Sequence, residues 1–455
     1  MIMNPVIFRE YDVRGVVGEH FDADFAYTLG RAYASLHFSV LQKKSPTIAI
    51  GQDARLSCPK LVEALAKGLQ DSGFNVKLLG LVTSPMTYFA TFFYKDIDGG
   101  IMVTGSHNPP EYNGFKISIG KNTLYGADIL KLLEIIKSEK YIKGAGKIET
   151  LDIFPDYIDR YKKEFGDLSG LKIVLDCGNG AAGVIVRKLY EACGATATIL
   201  FENPDGTFPN HHPDPTVEKN LVDLKKEVLK QKADVGIGFD GDADRIGVVD
   251  ENGKMILGDE LMVLISRAVI KDNPGAKIVG DVKCSHRLYE DVEKHGGKAI
   301  MWKTGHSLIK QKIKEEKAPF GGELSGHIFF NDRNYGYDDA PYAGLRVVEI
   351  LKKAGKPFSH LLSDLPNAFF TPEIRIDTTE EKKYQIVEAI KKKYLDTKNA
   401  TVLTIDGIRV QFSDSWFLAR ASNTQPVVVL RFEATSKEKL EVLKDEIEKI
   451  VNPLL

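Results

Sequence analysis

Three times along the chain, a short apolar strand pattern is followed by a helix pattern and then a second strand pattern, at spacings of roughly 100 residues. The first copy runs Thr47–Gly51, Cys58–Ser72 and Asn75–Leu79, and ends in a loop containing Thr83-Ser84-Pro85. The second runs Leu171–Leu175, Val184–Cys193 and Thr196–Phe201; the third runs Lys277–Asp281, Ser285–His295 and Lys298–Met301. The likeness is one of pattern, with no letter-by-letter repeat. Strands alternating with helices bury their apolar faces as sheets covered by helices. After about residue 366 the pattern changes. Strand-like Pro372–Ile376, Ala400–Thr404, Gly407–Phe412 and Val427–Phe432 accompany helical Glu380–Tyr394 and Lys437–Ile450, an α+β arrangement. The expected fold is therefore α/β, with three related mixed-sheet domains (1–150, 151–254 and 255–366) plus a C-terminal α+β domain (367–455) around a central cleft. The borders fall at the Gly- and Pro-bearing joints Lys143–Lys147, Asn252-Gly253 and Leu365-Pro366. At roughly 150 residues per domain, 455 residues fit three or four such units.

Charge narrows the classes of partner. Lys and Arg number 61 against 63 Asp and Glu, a net charge of −2, so there is no basic footprint for a nucleic-acid backbone and no polybasic anchor for acidic lipid. The most apolar stretch, Leu261–Ile270, is interrupted by Ser266 and Arg267, well short of the ~18 apolar residues of a membrane helix. The first residues lack the basic and apolar regions of a signal peptide. Cys58, Cys177, Cys193 and Cys284 lie far apart with no C-x-x-C pair, which argues against a disulfide framework and against a zinc site. A soluble cytoplasmic protein acting on small molecules is expected, with a monomer favoured.

Chemistry-bearing residues gather in five segments. Thr104-Gly-Ser-His-Asn-Pro-Pro follows the apolar run Gly99–Val103, and Pro109 and Pro110 forbid a helix, so Ser106 and His107 sit on a loop at a strand end. Ligands bind there in open α/β sheets. A serine so placed can be a nucleophile if a base, metal or cation activates it, and His107 and Lys116 are the nearby candidates; a turn with Ser and Asn capping backbone groups is the plainer reading. In Gly238-Phe-Asp-Gly-Asp-Ala-Asp-Arg245, three carboxylates fall within five residues. Extended, the outer two would stand ~13 Å apart. Gly238 and Gly241 should let the chain curl until Asp240, Asp242 and Asp244 reach one hard cation at ~2.1 Å. An EF-hand would need Gly where Arg245 stands, and a solvated acidic loop is the plainer alternative.

Gly178-Asn-Gly-Ala-Ala-Gly183 satisfies G-x-G-x-x-G between a strand and a helix, with Glu202 further on, so an NAD-dependent oxidoreductase is a rival reading. Against it, Asp176 and Cys177 separate the strand from the first glycine, and a tight strand–helix turn explains the motif. Gly321-Gly-Glu-Leu-Ser-Gly-His327 is a lean loop able to press Glu323 and Ser325 against a ligand's hydroxyls. Arg420-Ala-Ser-Asn-Thr-Gln-Pro426 supplies Arg420, Ser422, Asn423 and Thr424 with no acid among them, a donor set suited to a phosphate dianion.

Together these segments resemble the α-D-phosphohexomutase superfamily, most closely its bacterial phosphomannomutase/phosphoglucomutase type, in the family's order and one to each of the four domains. The resemblance implies that Ser106 carries a phosphoryl group. It also implies that Asp240, Asp242 and Asp244, with a phosphoserine oxygen, hold Mg²⁺. Glu323 and Ser325 then recognise sugar hydroxyls, and Arg420, Ser422, Asn423 and Thr424 hold the non-reacting phosphate. Tyr11, Arg14, His107, Lys116, Arg245, Lys283, His306 and His327 match further cleft positions, with Lys116, His107 and Arg14 the candidates for acid/base work. The implied activity is phosphoryl transfer between the 1- and 6-positions of mannose or glucose phosphate through a hexose 1,6-bisphosphate. Glu-Leu-Ser, where phosphoglucosamine mutases typically show Glu-Gln-Ser, favours the hexoses over that alternative. Gln425 departs from the usual Asn-Thr-Glu-Pro ending and leaves the donors intact. A metal-dependent phosphatase would share the serine and the aspartates.

Overall fold

The strand Thr47–Gln52 lies between two parallel neighbours, Asn75–Leu81 and Ile97–Val103, in the computed structural model, which describes residues 1–423 and 425–455. By packing, the chain divides into two units, Met1–Leu261 with Ser325–Leu361, and Met262–Leu324 with Leu362–Leu455. Among the described residues no helix is long and apolar enough to cross a membrane.

Two mixed sheets organise the first unit. In the seven-stranded sheet, Tyr112–Ile119 runs antiparallel to both Ile97–Val103 and Val13–Val16, and Ile148–Thr150 closes the far edge parallel to Asn75–Leu81. Ile48, Ile50, Ile101, Val103, Phe115 and Ile117 bury themselves beneath helices Ala23–Leu41 and Cys58–Gln70. Lys116 thus lies on a strand, registered opposite Met102. Thr83-Ser84-Pro85 is the start of the helix Ser84–Phe93 and not the loop expected there: Thr83 accepts from the Met86 N–H as N-cap, and Pro85 sits in the first turn, where no helical hydrogen bond is lost.

The second sheet places Val235–Phe239 at its centre, parallel to Lys172–Asp176 and antiparallel to Ile246–Asp250. The hairpin between the two antiparallel strands carries the three aspartates. The helix expected over Val184–Cys193 is a 3-10 turn, Ala181–Val184, followed by the helix Val186–Ala192. An aromatic seam then joins the helices Ser84–Phe93 and Phe154–Phe165 to the segment 335–342. Tyr157 and Tyr161 donate to Asp339 Oδ2 at 2.9 and 2.8 Å, and Asp339 caps the helix Ala340–Ala354.

In the second unit, Lys277–Asp281 lies between parallel Lys298–Trp302 and Phe320–Gly322. The remainder is a six-stranded sheet in which Val427–Ala434 pairs antiparallel with Ser415–Ala421, a strand the sequence reading passed over. Helices Lys382–Tyr394 and Lys437–Val451 cover one face around Ile386, Phe417, Phe432 and Ile447. On this sheet Arg409 stacks on Trp416 and donates to the carbonyls of Val282 and Cys284, while Ser285 and Trp416 share Glu433. These contacts fix the segment that bears Lys283.

Candidate active site

Ser106 follows the strand Ile97–Val103, is 2% exposed, and takes a left-handed backbone conformation at φ 51°. A non-glycine residue held there costs on the order of 1–3 kcal/mol, so the surroundings must enforce it. They do so through Arg55, a fully buried side chain that sequence reasoning missed. Its guanidinium donates to the carbonyls of Ser106, Asn108, Pro109 and Tyr112, and Asp53 accepts from its Nε at 3.1 Å. Asp53 also accepts from Thr104 Oγ1, which in turn accepts the Ser106 N–H at 2.7 Å. Gly105 is required because a Cβ there would lie 2.5 Å from Arg55. The signal was present in part: Asp53 and Arg55 follow a strand end, where α/β sheets gather function.

Ser106 Oγ lies 3.1 Å from Asp240 Oδ2 and 3.2 Å from His107 Nδ1. Burial, then the positive charges of Arg245, Arg14, His327 and Lys116, push the His107 imidazole well below its ordinary value, leaving it neutral. Lys116 is buried, which opposes its charge, but Asp242 and Asp244 outweigh that and hold the ammonium well above the usual lysine value. Its Nζ donates to Asp242 Oδ2 at 2.6 Å and to Asp244 Oδ2. Arg14 pairs with Asp12 and donates to Asn108 Oδ1 at 2.7 Å, bracing the same loop. Tyr11 is half-buried, two residues before the strand Val13–Val16.

Asp240, Asp242 and Asp244 are fully buried, and each offers an oxygen within 4.8 Å of the others. The curl that brings them together is made at Ala243, φ 60°, whereas Gly238 lies in a strand and Gly241 is not left-handed. Gly241 serves a different need, because a Cβ there would come closer than 3.0 Å to the Ser106 carbonyl oxygen. The G-x-G-x-x-G segment supports this loop from behind: the Ala181 N–H donates to the Gly241 carbonyl at 2.9 Å, and a Cβ on Gly180 would meet that oxygen at 2.8 Å. Burial, then Asp242 and Asp244, raise the Asp240 carboxyl well above the carboxylate range. Asp242 Oδ1 is buried with no hydrogen-bond partner. An all-carboxylate donor set with an unsatisfied buried oxygen fits a hard divalent cation.

Arg245 follows directly and donates from Nε to His327 Nε2 at 3.0 Å; a backbone bridge between the two residues sets this contact. His327 Nδ1 lies 3.0 Å from Asp338 Oδ2, a second partner that the sequence did not reveal. Arg14, Ser106, His107, Lys116, the three aspartates, Arg245 and His327 thus share the first unit, to which Ser325 also belongs.

Within the second unit, Glu323 is 1% exposed and accepts the Gly305 N–H at 2.6 Å, beside His306 at the start of the helix His306–Glu316. Buried Lys283 pairs with Glu373 at 2.7 Å. Arg420, next to last in the strand Ser415–Ala421, donates to Asp406 Oδ2, which also accepts the Thr304 N–H, so Asp406 links the segments bearing His306 and Arg420. Ser422 is buried and Asn423 exposed; Thr424 lies outside the described residues. Lys383, also missed, donates to the carbonyl oxygens of Ser422 and Gln425.

Four family models match the chain in order: phosphoglucomutase/phosphomannomutase alpha/beta/alpha domain I over residues 5–143, domain II over 155–253, domain III over 257–369, and the C-terminal domain over 373–450. A phosphomannomutase/phosphoglucomutase of Pseudomonas putida is 47% identical over 443 residues, covering 96% of this chain and 94% of its own. A phosphoglucomutase of Neisseria meningitidis is 42% identical over 455 residues, covering 99% and 98%. A crystal structure of a phosphoglucomutase/phosphomannomutase family protein from Burkholderia thailandensis superposes with a TM-score of 0.92 at 41% identity, covering 100% of this chain and 98% of its own. The chain belongs to the phosphoglucomutase/phosphomannomutase family.

Proposed function

We propose that the chain interconverts the 1- and 6-phosphates of mannose or glucose through phospho-Ser106 and a hexose 1,6-bisphosphate. The observation that carries this reading is the setting of Ser106 Oγ, with a carboxylate at 3.1 Å, a neutral imidazole at 3.2 Å and a buried ammonium on the neighbouring aspartates. Asp240, Asp242 and Asp244, with an oxygen of phospho-Ser106, would hold Mg²⁺, which when bound supplies positive charge against the equatorial oxygens of the transferring group.

In the first transfer, the 6-hydroxyl of a hexose 1-phosphate forms an O–P bond as the Ser106 Oγ–P bond breaks, giving the 1,6-bisphosphate and free serine. In the second, after the intermediate has turned over, Ser106 Oγ takes the 1-phosphoryl group and the sugar leaves as the 6-phosphate. The proton lost by the sugar's 6-hydroxyl ends on Ser106 Oγ in the first transfer, and the Ser106 hydroxyl proton ends on the departing sugar O1 in the second, with His107 Nδ1, 3.2 Å from Oγ, relaying it. Lys116 and Arg14 contribute fixed charge, because a loose transition state depends more on positioning and electrostatics than on proton abstraction. Glu323 and Ser325 are assigned to the sugar hydroxyls. Arg420, Ser422, Asn423 and Thr424 are assigned to the phosphate that does not react, with Tyr11, Arg245, Lys283, His306 and His327 completing substrate contacts. The proposed domain borders stand near residues 150, 254 and 366.

³¹P NMR with Mg²⁺, a trace of hexose 1,6-bisphosphate and either hexose 1-phosphate tests the proposal. Growth of the 6-phosphate signal supports a mutase, and the relative rates rank the two sugars. Inorganic phosphate alone favours the phosphatase reading, and conversion of glucosamine phosphate only would reassign the substrate.

A further inference from the structure

We propose that Ser84 is a positioning residue for the metal ligand Asp242. This rests on the metal reading of Asp240, Asp242 and Asp244 given above. Ser84 is the first residue of the helix Ser84–Phe93 and is fully buried. Its hydroxyl donates to Asp242 Oδ2 at 2.5 Å, and its N–H donates to the Asp242 carbonyl at 2.9 Å, so one residue grips both the side chain and the backbone of the aspartate. A carboxylate has two oxygens with about four lone-pair sites between them. Ser84 and Lys116 both occupy Oδ2, while Oδ1 is buried and without a hydrogen-bond partner. The hydroxyl therefore fixes the rotation of the carboxylate and leaves Oδ1 as the oxygen with lone pairs to give a cation.

The neighbours of Ser84 keep it still. Thr83 caps the helix through the Met86 N–H, and Pro85 locks its own φ in the first turn. Ser84 lies in the segment matched by the first family domain and Asp242 in that matched by the second. The contact therefore also ties the metal loop to the part of the chain that bears Ser106. Hydrogen-bond partners of metal ligands set ligand orientation, and their loss typically weakens metal binding about 10–100-fold.

The test is calorimetric titration of Mg²⁺ into the metal-free full-length protein, alongside thermal unfolding in EDTA, for wild type, Ser84→Ala, Ser84→Thr and Asp242→Asn. Ser84→Ala should weaken Mg²⁺ binding about 10–100-fold, while Ser84→Thr, which keeps the hydroxyl, stays close to wild type. If Ser84→Ala does not fold, Ser84→Cys keeps the side-chain shape with a somewhat larger atom and exchanges a strong donor for a weak one, and should still lose affinity. Wild-type affinity in folded Ser84→Ala or Ser84→Cys, with binding lost in Asp242→Asn, overturns the role of Ser84 and leaves the metal site standing. No Mg²⁺ uptake by wild type, or full uptake by Asp242→Asn, overturns the metal reading and this inference with it.

Discussion

Gly241 presses its Cα side against the carbonyl oxygen of Ser106, so closely that a Cβ would come within 3.0 Å of it. The atom it would strike is backbone, held by Arg55, and cannot swing away as a side-chain tip would. Gly241→Ala must therefore push the aspartate loop and the serine loop apart. A misplacement of about 1 Å costs on the order of 100-fold in rate. Steady-state kinetics should show kcat/KM down by roughly that factor, with a stability loss of about 1–3 kcal/mol by urea denaturation.

Lys116 is ion-paired with two of the three buried carboxylates. Replacing it by Met leaves uncompensated buried charge, a defect of about 3–5 kcal/mol. Urea denaturation in EDTA should show that loss for Lys116→Met, and saturating Mg²⁺ should restore more stability to the variant than to wild type. Equal metal-induced stabilisation of the two proteins would separate Lys116 from the cation site.

Arg55 binds four carbonyl oxygens of the Ser106 loop. Arg55→Met strands those acceptors and should cost about 3 kcal/mol or more in stability, with activity falling further than the folded fraction explains. Arg55→Lys, a point charge in place of a planar fork, should recover little.

The legible part of the site was its local part. Thr104–Lys116 and Asp240–Arg245 each concentrate their chemistry in one short segment, so the residue types alone suggest a serine loop and a cation loop. What holds those loops is distant in sequence. Arg55 lies 51 positions from Ser106, and Ser84 lies 158 from Asp242. An isolated Arg or Ser looks like any other until the sheets bring it home. The strand–helix rhythm was readable because periodicity is also local. It failed at Thr83–Pro85, read as a loop, where Pro85 serves as a first-turn residue; Gly178–Gly183, read as a tight turn with a dinucleotide site as the rival, lies between a strand and a 3-10 turn and backs Gly241. The strand Ser415–Ala421 was overlooked because its last residues, Arg420 and Ala421, read as the start of a donor-rich loop.

His211 stands 3.1 Å from buried Asp176, at the strand end that leads into that backing turn. Burial disfavours the imidazolium, but the hydrogen bond and charge of Asp176 outweigh it and raise the group above 6.5. A raised folded-state value contributes stability that is fully present below the unfolded value and is lost as pH rises through the folded one. Wild type should therefore exceed His211→Gln by on the order of 1–2 kcal/mol at pH 5.5, with the gap closing at alkaline pH. Chemical denaturation at the two pH values measures it, and a gap that widens with pH would contradict the assignment.

Phosphoryl transfer through Ser106 is the centre of the account, and it is read most directly on the protein itself. The chain is incubated with labelled hexose 1,6-bisphosphate and Mg²⁺, separated from the sugar, and mapped by peptide mass spectrometry before and after addition of hexose 6-phosphate. The account predicts one phosphoryl group, on Ser106, that passes quantitatively to the added sugar and never forms in Ser106→Ala. Turnover with the label on another residue, or full turnover by Ser106→Ala, would contradict it.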